Sequence, residues 1–246
     1  MTAVRYRTGD APGLIRSSDP VRFRPYWGVR PDTLIFDFDG LLMDTESTLL
    51  ESWRWEWRRH GLDLPLDGFF ADHGGNVNDQ RYAALAAAVG KSYDQTESHS
   101  LRTAYRDVLH ERLEPAPGIR EWFDQAAELG LRLAVASSSP RSWVHGYLDR
   151  AGLLDRLAVT ACGDEVEAHK PDPAVYRLAL DRLGIAPERG LAFEDTPHGV
   201  AAARAAGLRC VAVPNAYVAV DRFTAADLVL AGAADAPLPA ILDKIS

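Results

Sequence analysis

The sequence predicts an α/β fold: a mostly parallel sheet with helices on both faces, and a small all-helical segment inserted after the first strand. Three observations predict it. From Pro115 to Leu230, short apolar runs alternate with helical periodicity, the rhythm of strands joined by crossover helices. The first apolar run, Leu34–Phe36, stops at two carboxylates, Asp37 and Asp39, followed at once by Gly40. Between that run and Glu114 lie about seventy residues of helical spacing with no strand pattern.

Length and composition bound the classes. The 246 residues suffice for one large domain, or one domain carrying an insertion. Hydrophobic content of 47% and charged content of 25% are those of a soluble globular chain. A net charge of −8 argues against a nucleic-acid partner. No apolar run approaches the length of about 18 residues that a membrane helix needs. Cys162 and Cys210 sit among small or apolar neighbours, so both read as buried free thiols in a reducing compartment. A cytoplasmic monomer is expected.

Residues 1–30 differ from the rest. Arg5, Arg7, Arg16, Arg22, Arg24 and Arg30 face only Asp10 and Asp19, and the apolar core of a signal peptide is missing. An irregular Arg-rich extension is expected there. A core of 31–45 and 116–246 and an insertion of 46–115 complete the division.

The elements follow in order. After the first strand, Leu49, Leu50, Trp53 and Trp57 recur at helical spacing, and Gly61 closes that helix. Further helices are expected over Asp79–Val89 and Thr96–Leu113. Pro115–Gly118 marks the return to the core. Then come a helix at Ile119–Leu129, a strand at Leu131–Ser137, a helix at Ser142–Ala151 and a strand at Ala158–Cys162. A helix at Pro173–Leu183 leads to a strand at Gly190–Glu194. A helix at Gly199–Ala206 leads to strands at Arg209–Val213 and Asp227–Leu230. The alanine runs read as close-packing positions in helices.

The polar residues fall where such a sheet binds ligands, outside the carboxyl ends of its strands. Asp37 and Asp39 follow the first strand, Ser137 ends the second, Lys170 comes soon after the third, and Glu194 and Asp195 end the fourth. Each alone has a plainer reading. Ser137 could start a helix, Lys170 could be a solvated lysine, and Glu194-Asp195 could face a helix dipole. Asp37 and Asp39 could hold a cation without catalysis. Together at one rim they suit phosphoryl transfer. A carboxylate can attack phosphorus, and a second acid can move protons. Carboxylates suit octahedral Mg²⁺, while a hydroxyl and an ammonium hold phosphate oxygens.

Four segments carry a family resemblance: DFDGLLMDTE at Asp37–Glu46, VASSS at Val135–Ser139, HKPDPAVY at His169–Tyr176 and FEDTPHGVAAARAAG at Phe193–Gly207. In this order they resemble the haloacid dehalogenase superfamily, in its helical-cap branch of phosphatases and phosphomutases. The resemblance runs from Thr33 to Val213 and less clearly into the tail. It implies a Rossmann-like core with a cap inserted after the first strand. It also implies Asp37 as nucleophile, Asp39 as general acid/base, and Ser137 and Lys170 as the phosphate-binding pair. Mg²⁺ would be held by Asp37, the Asp39 backbone carbonyl and Asp195, with Glu194 behind them or as a further ligand. Gly40 would let the chain swing from core to cap.

Two departures narrow the branch. Asp39 is an acid where the metal-free dehalogenases have none. Leu49 stands where β-phosphoglucomutase-like enzymes usually carry a cap histidine, and His60 and His73 do not match that position. Hydrolysis of a small, sugar-phosphate-like ester is therefore expected over isomerisation. A phospho-signalling domain uses a similar group set but is shorter and lacks the insertion. Cap residues should choose the leaving group, and His73, Asn76 and Arg81 are the candidates.

Overall fold

The computed structural model describes residues 29–66, 69, 78–215 and 217–245; the Arg-rich segment up to residue 28 lies outside them. Strand β1 (Thr33–Phe36) is followed by helices α1 (Thr45–Arg59), α2 (Asn78–Val89) and α3 (Gln95–His110). Then come α4 (Ile119–Glu128), β2 (Arg132–Ala136), α5 (Arg141–Arg150), β3 (Val159–Ala161) and α6 (Ala174–Leu183). The chain ends with β4 (Gly190–Glu194), α7 (Pro197–Ala205), β5 (Arg209–Ala212), β6 (Leu228–Val229) and α8 (Leu238–Ile245). The six strands form one sheet in the order β3-β2-β1-β4-β5-β6, and every neighbouring pair is parallel. Among the described residues no helix is long and apolar enough to cross a membrane.

Strand periodicity explains why β1 reads as an unbroken apolar run. Leu34 and Phe36 point into one layer, with Trp122 and Phe123 of α4, Leu148 of α5 and Ile241 of α8. Ile35 points into the other, with Val175 and Ala179 of α6 and Ala202 and Ala203 of α7. Both faces are dry, so Leu34, Ile35 and Phe36 are all apolar, while Thr33 at the strand's start is buried with its hydroxyl bonded to Asp32 Oδ1 at 2.8 Å. Cys162 and Cys210 are buried and free, one in each layer.

Element ends shift for identifiable reasons. Helix α7 begins at Pro197 rather than Gly199, because Thr196 caps it by accepting from Gly199 N and proline suits the first turn. Helix α3 begins under the Asp94 cap and stops at His110, three residues before the expected end. Helix α8 was not anticipated, although Leu238, Ile241, Leu242 and Ile245 repeat at helical spacing and are buried. The alanine expectation holds in α7, where Ala202 and Ala203 are fully buried, but fails in α2. There Ala83, Ala84, Ala87 and Ala88 face solvent, and alanine serves helix propensity instead of packing.

The insertion has its own cluster of Leu50, Trp53, Trp57, Phe69, Tyr82 and Leu85. Arg102 of α3, 2% exposed, lies in the same place. Its guanidinium sits 4.4 Å from the Trp53 ring centroid, with Nε donating to the Tyr82 hydroxyl at 3.0 Å and Nη1 to Ser52 Oγ at 3.2 Å. The side chain works here as packing material, with Nε and Nη1 each paired to a hydroxyl. Arg102→Ala should therefore cost about 2–4 kcal/mol, in the range of large-to-small core substitutions. Urea denaturation measures this, and Arg102→Met, which keeps volume, should recover most of the loss. The chain enters and leaves the insertion at one point: Met43 bridges Pro115, and Ala116 N donates to Leu42 O at 2.9 Å.

Candidate active site

Sheet register brings the acids together. Phe36 of β1 is paired with Val135 of β2 on one side and Phe193 of β4 on the other. One residue further, Asp37 falls between Ala136 and Glu194, and its amide continues the ladder by donating to Phe193 O at 2.9 Å. Strand β1 then breaks. Gly40 takes φ 80°, and a Cβ there would run into the Asp195 carboxylate, so only glycine allows this turn. Gly199 plays a similar part on α7, where a Cβ would occupy the space of the Glu194 carboxyl.

Lys170 arrives from the loop before α6 and closes the group. Its Nζ donates to Asp37 Oδ1 at 2.5 Å, Glu194 Oε1 at 2.6 Å and the Ala136 carbonyl at 2.8 Å. Burial works against the ammonium, but the carboxylates of Asp37 and Glu194 outweigh it and raise its pKa. Tyr176 of α6 donates to the same Glu194 oxygen at 2.6 Å. Asn215, beyond β5, donates to Asp195 Oδ2 at 3.1 Å. Ser137 is buried at the end of β2, and its Oγ accepts from the Ser139 amide at 3.0 Å.

Asp39 is held apart from this cluster. Its Oδ2 accepts from Ser139 Oγ at 2.5 Å and its Oδ1 from the Trp143 indole Nε1 at 3.1 Å. Burial pushes the Asp39 carboxyl pKa up, with the Asp37 charge adding to it and the Ser139 bond opposing. Burial likewise lifts Glu194 to about 7 against the pull of Lys170, and lifts Asp195 well above the carboxylate range. Glu46, at the start of α1, is also raised to about 7, by burial and then by Asp39.

These shifts describe one imbalance. Carboxylate oxygens of Asp37, Glu194 and Asp195 lie within 4.8 Å of one another, and a single ammonium faces them. Glu194 Oε2 and Asp195 Oδ1 are buried with no hydrogen-bond partner among the described residues. Buried oxygens left without donors are costly unless a cation meets them. An all-oxygen set of this kind suits a hard divalent cation.

Asp37, Asp39, Ser137, Lys170, Glu194 and Asp195 thus converge at the carboxyl ends of β1, β2 and β4. Arg81 lies on α2, 4.2 Å over the Phe69 ring with Nη2 donating to Phe69 O at 3.0 Å, and its charge also acts on the Glu46 carboxyl at the edge of the acid group. His73 and Asn76 lie outside the described residues. Sequence reasoning passed over Ser139, Trp143, Tyr176 and Asn215 as partners of the acids. A signal existed for Asn215, a polar residue just past a strand end, by the same rule that picked out Ser137.

The chain is similar to known proteins over most of its length. The pattern of the haloacid dehalogenase-like hydrolases matches residues 34–213. YhcW of Bacillus subtilis, which bears a phosphatase name, is 37% identical over 216 residues, spanning 87% of this chain and 97% of YhcW. The phosphorylated carbohydrates phosphatase of Thermotoga maritima is 32% identical over 179 residues, spanning 72% of this chain and 82% of that enzyme. The crystal structure of CbbY from Rhodobacter sphaeroides in complex with phosphate superposes with a TM-score of 0.64 at 29% identity, over 83% of this chain and 96% of CbbY. With a Rossmann-like sheet, a helical cap and acids at the strand ends, the chain belongs to the haloacid dehalogenase-like hydrolases, on their phosphatase branch.

Proposed function

We propose that this enzyme is a Mg²⁺-dependent phosphatase that hydrolyses a small phosphorylated metabolite, of the sugar-phosphate kind, through an aspartyl-phosphate on Asp37. One observation carries the reading: Lys170 clamps Asp37 beside Glu194 and Asp195, whose Oε2 and Oδ1 are buried with no hydrogen-bond partner among the described residues. The phosphatase names of the relatives support it, as does the carbohydrate-phosphate substrate class of the Thermotoga maritima enzyme.

A carboxylate oxygen of Asp37 attacks phosphorus as the bond to the leaving oxygen breaks. Asp39 gives that oxygen its proton, a role helped by burial, which keeps the carboxyl protonated to higher pH. Asp39 then takes a proton from water, whose oxygen attacks the phosphoryl group, freeing Asp37 and releasing inorganic phosphate. Ser137 and Lys170 hold the remaining phosphate oxygens. Asp37, the Asp39 carbonyl and Asp195, with Glu194 beside them, would hold Mg²⁺, which supplies charge neutralisation for the phosphoryl group. Residues 46–115 act as the cap over a core of 31–45 and 116–246, and the separate cluster around Trp53 supports that division. Leu49 packs against that cluster, which suits hydrolysis and leaves the mutase position without a proton-transfer group.

A screen of sugar, nucleotide and short-acid phosphates with Mg²⁺ tests the reading. Inorganic phosphate should be released and no isomer should accumulate. Isomerisation without net phosphate, or no turnover at all, sinks it. Saturating Mg²⁺ without substrate should raise Tm by roughly 5–10 °C, since binding at about 100 times Kd contributes about 2.7 kcal/mol. Asp195→Asn should remove most of that rise in a thermal scan.

A further inference from the structure

We infer that Trp143 is a positioning residue for the general acid. Its indole reserves Oδ1 of Asp39 as an acceptor, so the hydrogen passed to the leaving group resides on Oδ2. The inference rests on the phosphatase reading above and on a contact that reading does not use. Trp143 Nε1 donates to Asp39 Oδ1 at 3.1 Å, and Ser139 Oγ lies 2.5 Å from Oδ2.

The two partners differ chemically. An indole N–H is a donor and nothing else, and in a protonated carboxyl the carbonyl oxygen accepts far better than the hydroxyl oxygen, so the donor favours the carbonyl character of Oδ1. A serine hydroxyl can donate to a carboxylate or accept from a carboxylic acid by rotating. Ser139 therefore serves Oδ2 in both halves of the reaction, while Trp143 serves Oδ1 in one sense only. The Thr45 hydroxyl, which also faces this carboxyl, is ambivalent like Ser139.

The indole is held in place from both sides of the cleft. Tyr147 of α5 packs against it edge to face at 4.6 Å, and His110 of α3 does the same at 5.1 Å. His110 is fixed in turn by Thr48 of α1, at 2.8 Å from Nε2. Thr48 spends its own hydrogen on the Thr45 carbonyl at 2.7 Å, so the hydrogen-bond network places the imidazole hydrogen on Nε2. Trp143 thus joins residues of the insertion to the acid in the sheet. The orientation of Asp39 depends on the insertion through this ring.

The test compares leaving groups. An alkyl phosphate such as fructose 1-phosphate needs a proton on its departing oxygen, whereas p-nitrophenyl phosphate departs without one. The value of kcat/KM reports only steps up to that departure, before water attacks. Trp143→Phe, which keeps a ring and deletes the donor, should lower kcat/KM for the alkyl ester about 10-fold or more, as loss of a hydrogen bond to a charged group implies. The value for p-nitrophenyl phosphate should change less than about 2-fold. Trp143→Tyr, which restores a donor, should recover part of the ratio, and it stands in if the Phe variant fails to fold. Equal losses on both substrates, or none, overturn the inference. Asp39→Asn run alongside separates the two levels. If it shows the selective loss and Trp143→Phe does not, the role of Trp143 falls alone. If Asp39→Asn shows no selectivity, the general-acid reading falls and takes the inference with it.

Discussion

Asp37→Asn should lower turnover by a factor on the order of 10⁴ or more while leaving the fold intact, because the amide cannot attack phosphorus and no neighbour is placed to substitute. Glu194 is tied to Lys170 and Tyr176, Asp195 to Asn215, and Asp39 to Ser139 and Trp143. The fold survives because Lys170 keeps Glu194 at 2.6 Å and the Ala136 carbonyl at 2.8 Å. The checks are steady-state phosphate release with Mg²⁺ and a thermal scan. Residual turnover within tenfold of the parent would remove Asp37 from the nucleophile role.

Lys170→Met is expected to damage stability and activity together. The side chain is 7% exposed and faces two buried carboxylates. Removing one partner of a buried charge pair costs about 3–5 kcal/mol, because the remaining charges lose their compensation. For a chain of this size that is a Tm drop of roughly 10 °C. Activity should fall about 10²–10³-fold, the range for deleting one stabilising donor at a reacting group. Mg²⁺ should raise Tm more in this variant than in the parent, since the cation then meets carboxylates with no other positive neighbour. An unchanged Tm would mean that the acids are uncharged without Lys170.

The gathering of acids at the rim was legible in the sequence because strand ends can be read locally. A short apolar run that stops at Asp37, or at Glu194 and Asp195, reveals both the strand and the side chains beyond it. Sheet order then does the rest, and alternating strands and helices leave few arrangements. The partners of the acids were not legible. Ser139 and Trp143 reach Asp39 across 100 and 104 residues, and no spacing encodes such a meeting. Trp143 lies in the helix expected at Ser142–Ala151, and nothing in that segment marks its indole as a partner of Asp39. The alanines show the same limit: α2 and α7 have similar runs, and only the tertiary structure decides which is buried.

The paired linkers at Met43 and Pro115 have a mechanical consequence. An element joined at two distant points resists rotation, whereas one joined at two adjacent points behaves as a lever on a single pivot. Helix α1, with 15 residues, makes an arm of about 22 Å. A swing of about 10° at the pivot carries its far end about 4 Å, more than the width of a water molecule. Such a swing would leave the hydrogen bonds of the sheet in register but would have to slide His110 past Trp143 and Ser47 past Tyr217, side-chain contacts that bridge the insertion and the core.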